Sequence, residues 1–485
     1  MNTKHNTKIT AFLFIVLLLV AACSPDGVKP DKNEGENERS IAGQPVLEAT
    51  TSHYDTLGER NFEGDSFKIL DANNYPQWHQ NLAEEINGDP VNDSLFERDR
   101  FIEGKFNTKI EYEQIVSGGC SVLEKNVRAG DATYDLVISS ALGGNIEKLA
   151  TNNILCNLLD APYLSLSSAW WSRLLNENMR FDNQLFFTLG DNVPSTYLAP
   201  GTMYVNLRLM EDYGMTQNLY NLAFEGKWTL DVLESIIKNK NIDLNQDNKM
   251  HADDDFFGII SPSGAINSNI YAAGIGIKLS TNQGNTIQID WNTPVFFEKI
   301  DRMSTLITKP AYSDVNDVIS KTFHSGRAMF LAHTLEAGIL FLRDMKDDYG
   351  LLPMPKYDEN QENYVSFISA FVSTFTAIPS NSNIEKSAFL MEAMAYAGYN
   401  TIRPNIYEKA LKIKVSRDVE SAKVIDMIIE SCYLDLNGLY NFGNSCEIIR
   451  AAMFDKKALA SEYEKKEGAI QKDIDKFINA IAQNN

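Results

Sequence analysis

The chain has 485 residues, 44% of them hydrophobic, with 15 Pro and 28 Gly, which excludes collagen-like and wholly disordered compositions. Its 65 Asp and Glu outweigh 44 Lys and Arg for a net charge of −21, a balance that repels phosphate backbones and excludes nucleic acid as a partner class. Six His and five Cys do not make a zinc-rich scaffold, and the length accommodates two large lobes, each with its own core.

The first residues bear on location. Lys4 and Lys8 are followed by twelve consecutive apolar residues, Ala11 to Ala22. A membrane-spanning helix needs about 20, whereas twelve suits a signal-peptide core, and the small pair Ala21-Ala22 suits its cleavage. Residues 1–22 are expected to be a signal peptide. Val20-Ala21-Ala22-Cys23 resembles the lipobox of bacterial lipoproteins. That resemblance implies a palmitate-type lipoprotein with diacylglycerol on the Cys23 sulfur, lipid-anchored on the extracellular face of the cell membrane. Residues 23–62 are rich in Pro, Asp, Asn, Glu, Gly and Ser and are expected to form a disordered tether, with a span on the order of 35 Å. Export permits disulfides among Cys120, Cys156, Cys432 and Cys446. Cys432 with Cys446 is the first pair to test, and free thiols are the alternative.

Beyond the tether, strands and helices alternate. Phe67-Lys68-Ile69-Leu70 reads as a strand, and Asp93 to Lys105 as a helix capped by Asn92 or Asp93. Lys109 to Val116 alternates, with Ile110, Tyr112 and Val116 on one face. Ser121 to Arg128 is a second helix, and the apolar run Leu136-Val137-Ile138 predicts a central strand covered on both faces. Met203 to Asn206 is a strand, and Thr229 caps a helix carrying Val232, Leu233, Ile236 and Ile237. Ala328 to Ala332 is a strand followed by a helix through Asp344. Glu385 to Tyr399 is a buried helix, and Ile470, Ile474, Phe477, Ile478 and Ile481 recur at helical spacing. Strands alternating with helices predict an α/β fold with mostly parallel sheets, whose ligand loops follow the carboxyl ends of the strands. Here those loops are 71–80 and 139–145.

Four stretches resemble the extracellular solute-binding lipoproteins of ABC importers, of the oligosaccharide-binding kind. They are Tyr134-Asp135-Leu136-Val137; Tyr204-Val205-Asn206 with Glu211-Asp212-Tyr213-Gly214 and Gly226-Lys227-Trp228-Thr229; Ser325-Gly326-Arg327-Ala328-Met329-Phe330; and Asp348-Tyr349-Gly350 with Leu352-Pro353-Met354-Pro355. The resemblance implies two α/β lobes of the periplasmic-binding-protein type, joined by crossing strands and closing on ligand by a hinge. Residues 65–195 and 374–412 are expected in lobe 1, and 196–373 and 413–485 in lobe 2. It further implies a monomer that hands a small solute, a carbohydrate or oligosaccharide, to importer membrane subunits. The expected ligand residues are Tyr75, Trp78, Ser139, Ser140, Asn145, Asp191, His333, Glu336 and one of Trp170 and Trp171. Flat rings stack on sugar faces while Asp, Asn and Ser bond hydroxyls. Trp228, before a helix cap, is expected in the core.

One loop has separate chemistry. Asp243, Asn245, Asp247 and Asp254 stand at positions 1, 3, 5 and 12 of a calcium-type loop, with the Lys249 carbonyl at position 7. Asn248 replaces the usual glycine, and Asn tolerates a left-handed turn. A structural Ca2+ is one expectation and a plain polar turn the other. Enzymatic signatures such as GxSxG, HExxH, a P-loop or paired CxxC are absent from the sequence, so a binding protein rather than an enzyme is expected. The alternative is a secreted carbohydrate-active enzyme using two carboxylates.

Overall fold

The computed structural model describes residues 52–75, 80–215, 218–311, 316–407, 411 and 419–483. The expected signal peptide, the Cys23 anchor, residues 23–51 of the tether and Trp78 lie outside the described residues. The strands, in chain order, are β1 (Ser66–Asp71), β2 (Lys109–Gln114), β3 (Leu136–Ser139), β4 (Gly201–Asn206), β5 (Phe257–Ile260), β6 (Thr281–Gln283), β7 (Thr286–Gln288), β8 (Ala328–Thr334), β9 (Tyr349–Leu352), β10 (Ser366–Phe367), β11 (Phe375–Ala377) and β12 (Cys432–Tyr433).

Eight of them build two four-stranded sheets, one per lobe, while β6 pairs with β7 and β10 with β12. The first has the order β11-β3-β1-β2 and the second β5-β8-β4-β9. In the first, β1 runs parallel to β2 and β3, while β11 returns antiparallel to β3. Every residue of β3 is buried, as a central strand covered on both faces requires. The second sheet is less parallel than expected: β5 and β8 are parallel, but β4 is antiparallel to both β8 and β9. The reason is connectivity. β4 follows the crossing segment out of the first lobe, starts beside the end of β8 with Gly201 opposite Thr334, and so runs against it.

The helix over Pro90–Phe106 starts three residues earlier than the sequence reading. Asp89 is its cap, accepting from the amides of Val91 and Asn92 at 2.9 and 3.2 Å, with Pro90 in the first turn where its missing N–H costs nothing. Ile110 is buried, but Val116 is exposed beyond the end of β2. The helix after β8 is short, Glu336–Leu340, rather than reaching Asp344. The buried helix is Ile384–Asn400, and the last helix, Leu459–Ala482, buries Ile470, Ile474, Phe477 and Ile481. That last helix also reaches first-lobe residues: Phe181 meets Phe477 edge-on at 5.2 Å, and Gln184 donates to the Ile481 carbonyl at 3.2 Å. Trp228 is fully buried, its indole N–H on the Pro353 carbonyl at 2.9 Å.

Two expectations are corrected. The tether does not extend to residue 62, because a helix forms over His53–Leu57 under a Ser52/Asp55 capping box. Tyr54 and Leu57 bury, and the His53 ring bonds Glu392 at 2.9 Å. Three apolar side chains, Tyr54, Leu57 and Phe62, outweigh the polar composition around them. Nor do Cys432 and Cys446 pair: all four described cysteines are free. Cys432 Sγ points to the Ile428 carbonyl and Cys446 Sγ accepts from Asn269, so each sulfur turns into its own surroundings.

Candidate functional site

Two crossing segments, residues 190–200 and 368–374, join the lobes and are stitched together. The Ser369 amide donates to the Ala199 carbonyl at 3.2 Å, the Thr374 amide to Ser195 Oγ at 2.9 Å, and the Thr374 hydroxyl to Asn81 Oδ1 at 3.0 Å. The parallel strands β5 and β8 end at the same edge of the second sheet. There Pro262 and the helix Ala265–Gly274 follow β5, while His333, Thr334 and Glu336 close β8. Between them lies a cavity of about 160 Å³, completed by Asn267, Phe341 and the crossing residues Phe371 and Val372. Phe371 carries the cavity to the first lobe. Its ring lies 4.9 Å from that of Tyr75, after β1, and packs against Gly143, after β3. Gly143 has φ of +116°, and a Cβ there would stand 3.3 Å from the Phe371 ring, so both backbone and space call for glycine.

The electrostatics of this cavity differ from those of the molecule. Burial pushes the Glu336 carboxyl up to about 8, against a hydrogen bond with Thr334 that lowers it. Burial also pulls His333 down to about 4, although Thr334 favours its charged form. At neutral pH both groups are therefore mainly uncharged. A chain of net charge −21 thus presents a nearly neutral cavity, with hydrogen-bonding groups at His333, Glu336 and Asn267 and an aromatic wall at Phe371.

The other sequence-predicted residues fall in three places. Ser139 and Ser140 lie under the β3 loop rather than facing the cavity; Ser139 Oγ donates to the Ala72 carbonyl at 3.1 Å, and both residues are buried. Asn145 heads the short helix Ile146–Thr151 and accepts from Lys148 at 2.6 Å. Trp170 and Trp171 both turn their indole N–H to Glu392, at 3.0 and 2.8 Å, where Ser165 N also donates, and neither lines the His333 cavity. Trp171 and Asp191 instead line a second cavity with Arg403. The residues that sequence reasoning missed are Phe371, Asn267 and Phe341. Phe371 sits in a crossing segment with no motif, and only its place between two strands of different lobes gives it meaning.

The acidic loop folds on itself. Asn248 takes the left-handed conformation, φ 62°, as its position demands. The Asp243 carboxylate accepts from the amides of Gln246 and Asn248 at 2.6 and 2.8 Å, the Lys249 amide donates to Asp247, and Asn245 donates to Asp254 at 2.9 Å. Among the described residues, no three His, Cys, Asp or Glu side chains converge as a metal cage.

No protein-family model matches the sequence, and no curated protein matches it. Solved structures do share its fold. An ABC substrate-binding protein from Listeria monocytogenes, in complex with cycloalternan, matches with a TM-score of 0.54 at 11% identity, over 84% of this chain and 98% of that one. The maltose-maltodextrin binding protein of Alicyclobacillus acidocaldarius matches at 0.53 and 10% identity, over 84% and 100%. An ABC transporter solute-binding protein from Agrobacterium radiobacter, in complex with ribitol, matches at 0.52 and 12%, over 85% and 100%. The chain therefore has the two-lobed fold of ABC solute-binding proteins. No described helix is long and apolar enough to cross a membrane.

Proposed function

We propose that this chain is a lipid-anchored, extracellular solute-binding protein that captures a neutral carbohydrate in the interlobe cavity and presents it to an ABC importer, without catalysing a reaction. The observation that carries this reading is the cavity lined by Asn267, His333, Glu336 and Phe371 where the carboxyl ends of β5 and β8 meet the crossing segment, with Tyr75 and the Gly143 loop against Phe371. Uncharged polar groups beside an aromatic wall suit hydroxyl-rich rings better than ions. The structural relatives solved with cycloalternan and ribitol support the same ligand class. At about 160 Å³ the cavity is smaller than the ~300 Å³ at which ligand pockets usually begin. An oligosaccharide therefore requires the lobes to part and close again.

Calorimetry with ribitol, maltotetraose and cycloalternan tests this. At least one should bind saturably with no product formed, and Phe371→Ala should weaken binding by about 1–3 kcal/mol through loss of a buried ring. Product formation, or unchanged affinity in the variant, would count against the reading.

The anchor is proposed on Cys23. Cys23→Ser should leave the protein unprocessed or release it from membranes, and a fully processed variant retained on membranes would disprove lipidation. The loop of Asp243, Asn245, Asp247 and Asp254 is proposed to take a structural calcium, with the Asn248 turn already formed and the Asn245–Asp254 bond yielding to the ion. EGTA at low background calcium should then lower Tm, since only the folded loop gathers the oxygens. An unchanged Tm would leave a plain polar turn.

A further inference from the structure

The second cavity, about 210 Å³, shares no lining residue with the first. Its walls come from both parts of the fold: Trp171 and Leu174 after the first-lobe strands, Cys432 of β12, and Asp191 and Tyr197 of the first crossing segment, with Arg403 alongside. Asp191 is 2% exposed. One of its oxygens accepts from the Tyr197 hydroxyl, while Oδ2 is buried with no partner among the described residues. A buried acceptor left unpaired costs free energy that a ligand hydroxyl would recover. The Arg403 guanidinium lies over the Tyr399 ring at 4.9 Å and is attracted electrostatically by Asp191. Since Glu392 takes the Trp171 indole N–H, that ring offers the cavity only apolar surface.

We propose that the cavity bounded by Trp171, Asp191 and Arg403 is a second binding site, for a small neutral polyhydroxylated molecule such as a polyol or a single sugar ring. The lining sets Arg173 and Arg403 against Glu430 and the Asp191 carboxyl, which burial raises to about 7, so neither sign is in large excess for a simple ion, whereas hydroxyls pair with all of them. An apolar sugar face matches Trp171. The volume admits one ring and not a chain of them. Because the cavity is walled by both lobes and floored by a crossing segment, an occupant contacts every part that moves when the lobes shift.

The inference does not depend on the ligand of the first cavity, and the test keeps the two apart. The mature chain is titrated with ribitol and with glucose, alongside Asp191→Asn, Leu174→Trp and Phe371→Ala. Leu174 is 50% exposed at the cavity mouth, so a tryptophan there blocks entry without entering the core. At least one probe should bind saturably, tenfold or more weaker in both Leu174→Trp and Asp191→Asn, and within twofold of the parent in Phe371→Ala at this site. A crystal soaked with that probe should show it beside Asp191 Oδ2. Binding of neither probe, binding insensitive to both Leu174→Trp and Asp191→Asn, or binding lost only in Phe371→Ala would overturn the proposal.

Discussion

Arg98→Ala should destabilise the protein by about 3–5 kcal/mol, the usual consequence of removing one partner from a buried ion pair. Arg98 is fully buried on the helix Pro90–Phe106 and holds three parts of the first lobe together. Its guanidinium pairs with Asp99 at 2.7 Å, donates to the Tyr112 hydroxyl on β2 at 2.7 Å, and donates to the Asn192 carbonyl in the first crossing segment. The Tyr112 hydroxyl closes the ring by donating to Asp99 at 3.1 Å. Asn192 in turn donates to Thr376 on β11 at 2.8 Å, so the network reaches the strand that follows the second crossing. Truncation leaves the Asp99 carboxylate buried and uncompensated, which is worse than having neither charge. The double variant Arg98→Met, Asp99→Leu should therefore be more stable than Arg98→Ala. Urea unfolding of the three proteins decides it. A loss below 1 kcal/mol in Arg98→Ala, or a double variant weaker than the single, would show that the network does not hold these parts together.

Which parts of this molecule could be read from its sequence follows from the range of the interactions involved. Leu136-Val137-Ile138 announces a central strand because its neighbours on both faces are all apolar, and the structure buries each residue. The helix Ile384–Asn400 was legible for the same reason. Strand β5 was not, because Phe257-Gly-Ile-Ile260 is four residues with a glycine, and its pairing with β8 lies about 70 positions away. The cap at Asp89 was readable in principle from Pro90, which belongs in a first turn. The tryptophan pair shows the harder limit. Alternation along the chain says only that Trp170 and Trp171 face different ways if extended. Nothing local reveals that Glu392, 221 residues beyond Trp171, draws both indoles to one carboxylate. Glu336 and His333 were legible as candidates just past the strand Ala328 to Ala332, but Phe371 became part of the cavity only through tertiary contact with Tyr75 and Gly143.

Stability should fall as pH rises from 6.5 to 8, contrary to the common pattern in which carboxylates are paired and stability is lost in acid. Burial raises Asp191 to about 7 and both Glu147 and Glu336 to about 8. In the unfolded chain these groups release their protons near pH 4. Between the unfolded and folded values the native state holds more protons than the unfolded one, so each unit of rising pH disfavours folding. His333 acts oppositely, since its folded value near 4 lies below its unfolded one, but that contribution is half titrated at pH 6.5 and complete by about pH 7.5. Above pH 6.5 the acids therefore dominate, because the histidine has only about 0.4 kcal/mol left to add. At about 1.4 kcal/mol per pH unit, one fully buried carboxyl accounts for at most about 2 kcal/mol between pH 6.5 and 8. Glu336→Gln removes one such group from the cavity while preserving its shape, so its stability should fall less steeply over the same interval. The same variant keeps an uncharged side chain at the cavity wall, so ligand affinity at pH 7 should change little, whereas above pH 8 only the parent should lose affinity as Glu336 ionises. Denaturant titrations and calorimetry at pH 6.5, 7 and 8.5 read both effects. Stability that is flat or rising above pH 6.5, or identical pH profiles for parent and variant, would mean that Glu336 is charged in the folded protein and that the cavity is not neutral.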